Sequence, residues 1–260
     1  MHAETVLYQE CDGLARITLH RPEARNALDL TLLEQLSKRL DQARDNSAIR
    51  AVIITGSGDR AFSAGADIAY LHQATPLEVR EFARLAVHVN HQVETLGKLV
   101  VAAIRGFALG GGLELAEACM LRVASHDATL GHPEVRIGAV AGFGGTTRLP
   151  RLVGRGRAAD LLLTGRLVGA EEALEIGLVQ RVVEPEAVLA EAENVARTIL
   201  ENSPIAVSLT WEALHRGLDL SMEASAALGA DMFGLVASTA DFREGTRAFL
   251  SKARPSYAGR

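Results

Sequence analysis

The sequence predicts an α/β domain that ends in a small all-helical region. Three observations carry this reading. Continuous apolar, β-branched runs, the mark of strands buried on both faces, stand at residues 51–55 and 99–104. Amphipathic helical stretches separate them, so that strand, loop and helix recur about every 50 residues over the first two thirds of the chain. From Pro185 onward every periodic stretch has helical spacing, and no strand signal remains.

The elements follow in order. Residues 6–8 and 14–19, apolar runs on either side of Gly13, read as a hairpin, and Pro22 stops its second strand. Leu32, Leu33, Leu36 and Leu40 have helical spacing within 30–44. The strand at 51–55 ends at Gly56-Ser57-Gly58-Asp59. Phe82, Leu85, Val89, Val93 and Leu96 then share one face of a long helix over 77–96. After the strand at 99–104, a third helix starts at the glycines at 110–112 and continues through Cys119, and 121–124 reads as a further short strand. In the C-terminal quarter, 186–200, 204–216, 221–236 and 241–252 have helical patterns. Helices of this kind are expected to cover a neighbouring element or an adjacent subunit.

Composition bounds the function. With 260 residues and 48% hydrophobic content, the chain can bury a large core. A formal net charge of -5 argues against a broad nucleic-acid footprint. Cys11 and Cys119 are too few for a disulfide framework. The N-terminal residues show neither a secretory nor a transit pattern, and no apolar run approaches the ~20 residues of a membrane span, so the cytosol is the expected compartment.

Three local patterns suggest chemistry. The segment Phe62-Ser63-Ala64-Gly65-Ala66-Asp67-Ile68 follows a strand and is rich in small residues, which let a ligand approach the backbone. Taken alone it reads rather as a tight turn with a capping Asp. The second is Gly106-Phe107-Ala108-Leu109-Gly110-Gly111-Gly112-Leu113-Glu114-Leu115. Three glycines between a strand and a helix weaken the helix start but leave N–H groups open where the helix dipole favours negative charge. Neither nucleotide-binding glycine fingerprint is present. Glu114, one turn into that helix among apolar neighbours, invites burial, which raises a carboxyl pKa towards the range of acid–base work. The third pattern is Gly131-His132-Pro133-Glu134-Val135, with Glu134 on a loop 20 residues after Glu114. A further glycine-rich stretch, 138–148, leads into another helix.

In this order and spacing, the three patterns resemble the crotonase (enoyl-CoA hydratase/isomerase) superfamily. The resemblance runs from Arg21-Pro22-Glu23-Ala24-Arg25-Asn26-Ala27-Leu28 to Phe242-Arg243-Glu244-Gly245-Thr246-Arg247-Ala248-Phe249. It implies a spiral of ββα repeats over 1–200 and a C-terminal helical trimerisation or lid subdomain over 201–260. It implies homo-oligomers, either trimers or dimers of trimers. It implies hydration of a 2-enoyl-CoA to a 3-hydroxyacyl-CoA, with oxyanion-donating N–H groups at Ala66 and Gly111. Glu114 would be the base that activates water, Glu134 the acid that protonates Cα, and Gly142 a water-positioning backbone group. Ala24, Arg25, Ala64, Asp67, Ile68, Phe233, Phe249 and Lys252 correspond to CoA- and acyl-binding positions, the last three reaching the ligand from the same or an adjacent subunit, with the phenylalanines also readable as core. The acyl-CoA is the expected partner, without nucleic acid or membrane. No metal or redox cofactor is implied, since backbone dipoles supply the polarisation.

The chain departs from the family pattern at Met120, where aspartate is frequent, and at Ala141, where proline is usual. Tyr70, Leu71 and His72 are expected near the acyl tail. Isomerisation, chemistry on a cyclic acyl group, and a non-catalytic RNA-binding role stand as alternatives. His88 and His91 have helical spacing but no accompanying Cys or acid cluster for a metal, and Ser63 lacks a nucleophile elbow.

Overall fold

The computed structural model of the chain describes residues 3–260. It forms two compact units, the first reaching Asn194 and the second spanning Val195–Arg260.

The first unit opens with an antiparallel hairpin, β1 (Val6–Cys11) and β2 (Leu14–Leu19). Helix α1 (Leu30–Asp45) begins at Asp29, whose side chain accepts the Leu32 N–H, and buries Leu32, Leu33, Leu36 and Leu40. Three strand pairs follow, each leading into helix. β3 (Ala51–Gly56) and β4 (Ala61–Ser63) precede α2 (Ile68–Gln73) and α3 (Pro76–Glu94). β5 (Leu99–Ile104) and β6 (Phe107–Leu109) precede α4 (Gly111–Ala118). β7 (Leu121–Ser125) and β8 (Thr129–Gly131) precede a 3-10 turn (Glu134–Ile137), α5 (Gly145–Val153) and α6 (Arg155–Thr164). β9 (Leu167–Gly169), α7 (Ala170–Glu175), β10 (Arg181–Val183) and α8 (Val188–Leu200) complete the series.

The expected ββα spiral is present. The first strand of each pair enters a six-stranded sheet, ordered β1-β2-β3-β5-β7-β10, and the second enters a four-stranded sheet, ordered β4-β6-β8-β9. Pairing is parallel except for β1 with β2 and β8 with β9. β5 is buried at all six positions, which explains its unbroken apolar run. The short strands of the second sheet have only three residues each, too few to show a period. α3 is held at its start by a capping box between Thr75 and Glu78 with Pro76 in the first turn.

The consequence for the site is geometric. β4, β6 and β8 are parallel neighbours, so the segments leaving their C-terminal ends emerge along one edge of the sheet. Adjacent strands are about 4.8 Å apart, which brings three distant stretches of sequence together.

The second unit contains the end of α8 together with α9 (Pro204–Gly217), α10 (Met222–Ala237) and α11 (Ala240–Leu250). Ser203, Ser221 and Thr239 cap the three complete helices. Buried Asp241 accepts hydrogen bonds from the Ser203 hydroxyl and from the Ala258 and Gly259 N–H groups. α10 has a largely apolar sequence yet buries none of its residues within the chain.

Candidate active site

The segment after β4 is shaped by a single parallel bridge. Leu28 N–H donates to the Gly65 carbonyl and the Leu28 carbonyl accepts the Asp67 N–H, both at 2.8 Å, with Leu28 bridged to Ala66. In such a bridge the N–H of the straddled residue points away from the partner, so the Ala66 N–H faces the opposite side. The preceding turn is clamped by Asn26, which is fully buried. Its amide donates to the Ser57 and Ala61 carbonyls and accepts the Arg21 N–H. Arg25 is exposed, and its carbonyl accepts the Ala64 N–H at 3.0 Å, which joins the Ala24–Arg25 turn to the Ala64 segment. Ile68 is exposed, at the start of α2. Asp67 caps α2 and also pairs with Arg21 at 3.1 Å. Burial pushes its carboxyl up, but Arg21 and the Tyr70 and Ala69 N–H groups outweigh this and hold it below the ordinary value.

The segment after β6 explains the glycine triplet. A Cβ on Gly110 would lie 2.8 Å from Glu134 Oε1, one on Gly111 2.6 Å from the Phe143 ring, and one on Gly112 2.5 Å from the Ser63 carbonyl. Each glycine is thus required by a different neighbour. Gly110 also has φ 49 and ψ −125, a region open to glycine. Gly111 opens α4, where an N–H has no intrahelical acceptor. A Cβ on Gly65 would come 3.5 Å from the Gly111 nitrogen, so the Ala66 and Gly111 segments are adjacent.

Glu114 is buried in the first turn of α4. Its Oε1 accepts the Phe143 and Gly145 N–H groups, each at 2.7 Å. Burial pushes its carboxyl up from 4.5 to about 7, with Glu134 and Glu117 adding to the rise against the Gly145 N–H and the His132 charge. The loop that supplies these N–H groups is itself anchored. The Phe143 carbonyl accepts from buried Asn90 and from Arg148, and Arg148 grips Glu94 with two bonds of 2.6 and 2.8 Å. Gly142, immediately before, is exposed, and Ala141 beside it is buried.

Glu134 begins the 3-10 turn after β8. Both of its carboxyl oxygens are buried without a hydrogen-bond partner among the described residues. His132 lies between the acids. Its Nε2 is 2.8 Å from Glu117 Oε1 and its Nδ1 3.8 Å from Glu134 Oε1. Burial lowers the imidazole, but the Glu117 charge and hydrogen bond, with Glu134, outweigh it and raise it to about 10. A Cβ on Gly145 would touch both His132 Cε1, at 2.8 Å, and Glu114 Cγ, at 3.1 Å. One small space therefore joins Glu114, Gly145, His132 and Glu134. Beside it, Tyr70 leans on Phe82 at 5.2 Å and Phe82 on Phe143 at 5.4 Å, forming an apolar wall.

The first unit thus brings Glu114, Glu134, Ala66, Gly111 and Gly142 together. Phe233, Phe249 and Lys252 belong to the second unit. Phe233 is 67% exposed and meets Phe242 edge-on, and Phe249 is 83% exposed. Neither is core within this chain. Sequence reasoning assigned no role to Asn26, Asn90, Arg148, Glu117 or His132. Glu117 had one available signal, an acid one turn beyond Glu114 on the same apolar helix.

Met120 donates its N–H to the Val100 carbonyl, and the buried Arg122 guanidinium nearby donates to the Cys119 and Leu178 carbonyls, closing the C-terminal end of α4.

Known proteins resemble this chain in sequence and fold. The enoyl-CoA hydratase/isomerase family model matches residues 9–260. A crotonyl-CoA hydratase of Syntrophomonas wolfei is 42% identical over 99% of both chains. A short-chain-enoyl-CoA hydratase of Clostridium acetobutylicum is 40% identical over 97% of both. The crystal structure of an enoyl-CoA hydratase from Bacillus anthracis superposes with a TM-score of 0.95 at 38% identity, over 99% of this chain and 100% of that one. With the model, the relatives and the spiral in agreement, this chain belongs to the enoyl-CoA hydratase/isomerase family.

Proposed function

We propose that the protein adds water across the double bond of a 2-enoyl-CoA thioester, giving the 3-hydroxyacyl-CoA, and that short-chain acyl groups are its substrates. The observation that carries the reaction is the meeting of two carboxyls with two backbone N–H segments at one sheet edge. Its relatives named as a crotonyl-CoA hydratase and a short-chain-enoyl-CoA hydratase support the acyl class.

In this reading the thioester oxygen sits between the Ala66 and Gly111 N–H groups. These donors stabilise the enolate, each worth ~10²–10³ in rate. Glu114 takes a proton from water as the water oxygen bonds to Cβ. Its raised pKa suits that task near neutral pH. Glu134 gives its proton to Cα. The proton lost by Glu134 is matched by the one gained by Glu114, and exchange between them resets the site. Gly142 borders the water position. Ala24, Arg25, Ala64 and Ile68 line the CoA path, with Asp67 fixing that wall through Arg21. Polarisation by backbone dipoles and proton transfer by two carboxyls call for no metal or redox cofactor.

The same reading gives the chain a homo-oligomeric assembly. The unburied apolar length of α10, with Phe233 and Phe249 exposed, supports contact with further copies, from which Phe233, Phe249 and Lys252 reach a neighbour's acyl-CoA. Among the described residues no helix is long and apolar enough to cross a membrane. Both cysteines are free, which supports a cytoplasmic location.

The test is direct. The protein is mixed with crotonyl-CoA and with longer and cyclic enoyl-CoA thioesters, and products are read by mass spectrometry. Gain of one water on crotonyl-CoA, lost in both Glu114→Gln and Glu134→Gln, is expected. Bound thioester without gain of water on any substrate rejects hydration.

A further inference from the structure

The site contains more buried charge than two-acid hydration requires. Glu117 and His132 are both buried, and their side chains have no solvent exposure. Burying two ionisable groups is costly unless their mutual attraction and hydrogen bonding offset the lost hydration. Their pairing is close, 2.8 Å through Nε2, and it fixes the plane of the imidazole. The other ring nitrogen, Nδ1, is buried without a hydrogen-bond partner and faces Glu134 at 3.8 Å. Glu134 in turn has both oxygens buried without partners. The arrangement is a carboxylate–imidazole–carboxylate row ending on a site carboxyl.

We propose that Glu117 and His132 are a positioning pair for Glu134: Glu117 holds the imidazole through Nε2, so that the N–H on Nδ1 faces Glu134 and stabilises its ionised form. This rests on the reading of Glu134 as the acid. When its O–H bond breaks and the proton passes to Cα, the electron pair stays on a carboxylate that has no other protein donor in the described residues. A fixed imidazolium supplies the missing counter-charge at that moment, without itself giving up a proton. The groups facing His132 are Glu114 and Glu117 from α4, Glu134 from the 3-10 turn and the Gly145 backbone of α5, with Arg122 and Arg148 acting on Glu117 from behind. The raised imidazole accords with a ring that stays charged through neutral pH.

Two measurements test the pair. The first uses wild-type protein with ¹⁵N-labelled histidine. Of the eight histidines, one imidazole is expected to stay doubly protonated at pH 9 and to lose that second proton below pH 8 in Glu117→Gln. The second is the pH profile of the whole enzyme. His132→Gln keeps hydrogen-bonding groups at the position but has no charge. It is expected to lower kcat ~10–100-fold, with KM changed by less than about two-fold. The acidic limb, which reports the base Glu114, moves to higher pH because the His132 charge that favours ionised Glu114 is gone. Glu117→Gln lowers kcat as well, with a smaller shift of the acidic limb because loss of the Glu117 charge itself eases ionisation of Glu114, and the double variant is no slower than His132→Gln. A wild-type protein in which every histidine titrates below pH 8 overturns the proposal, and so does a folded His132→Gln enzyme with unchanged kcat and acidic limb. The histidine spectrum decides the matter should His132→Gln not fold. Glu134→Gln is run alongside. Full activity in that variant rejects Glu134 as the acid, an outcome separate from either of the others.

Discussion

Glu114 is placed at a cost to stability, and replacing it by glutamine should expose that cost. Glutamine has the same shape, and its carbonyl oxygen can still accept the Phe143 and Gly145 N–H groups. What it lacks is charge. In the unfolded chain the carboxyl ionises near 4.5, and in the folded protein near 7. A group whose pKa rises on folding contributes stability that is full below the unfolded value and is lost as pH rises through the folded one. The interval from 4.5 to about 7, at about 1.4 kcal/mol per pH unit, comes to about 3 kcal/mol of destabilisation above neutrality. Urea unfolding of wild type and Glu114→Gln is measured at pH 5, 6.5 and 8, at one protein concentration because assembly contributes to stability. The variant should be more stable by under about 1 kcal/mol at pH 5 and by about 3 kcal/mol at pH 8, while its hydratase rate falls ~10²–10⁴-fold. A stability difference that does not change with pH, or a variant weaker than wild type at pH 8, refutes the argument that buried charge at Glu114 opposes folding.

Three further outcomes follow from the contacts. Asn26→Ala removes the bonds to Ser57, Ala61 and Arg21, leaving a buried carbonyl unsatisfied, and should cost about 3 kcal/mol in urea unfolding and raise KM through the loosened Ala24–Arg25 turn. Gly111→Ala drives a methyl into the Phe143 ring. Steady-state kinetics should show kcat reduced at least about tenfold, because Phe143 also supplies an N–H to Glu114, and thermal unfolding a loss of about 1–3 kcal/mol. Asn90→Leu removes one of two donors to the Phe143 carbonyl, so a loss of about 1 kcal/mol by urea unfolding and a few-fold fall in kcat, smaller than for Gly111→Ala, are expected.

The apolar periodicity of this chain determines most of its long elements. The hairpin at 6–19, the helix buried through Leu32, Leu36 and Leu40, and the strands through Val52 and Val101 all coincide with elements of the structure. A two- or 3.6-residue period reports which face is buried, and these elements are long enough to show it. The glycine triplet before Glu114 likewise marks an open backbone, and the resemblance adds Ala66 and Glu134. The rest depends on contacts made in space. β4, β6, β8 and β9 are three residues long, shorter than any period, and exist because neighbouring strands pair with them. His132 meets Glu117 across 15 residues, Asn26 meets Ala61 across 35, and Asn90 meets Phe143 across 53. A local pattern says that a residue is buried but not which distant group it will face. The raised carboxyl of Glu114 is likewise a tertiary property, since desolvation and field are summed over atoms from α4, the 3-10 turn and the loop before α5.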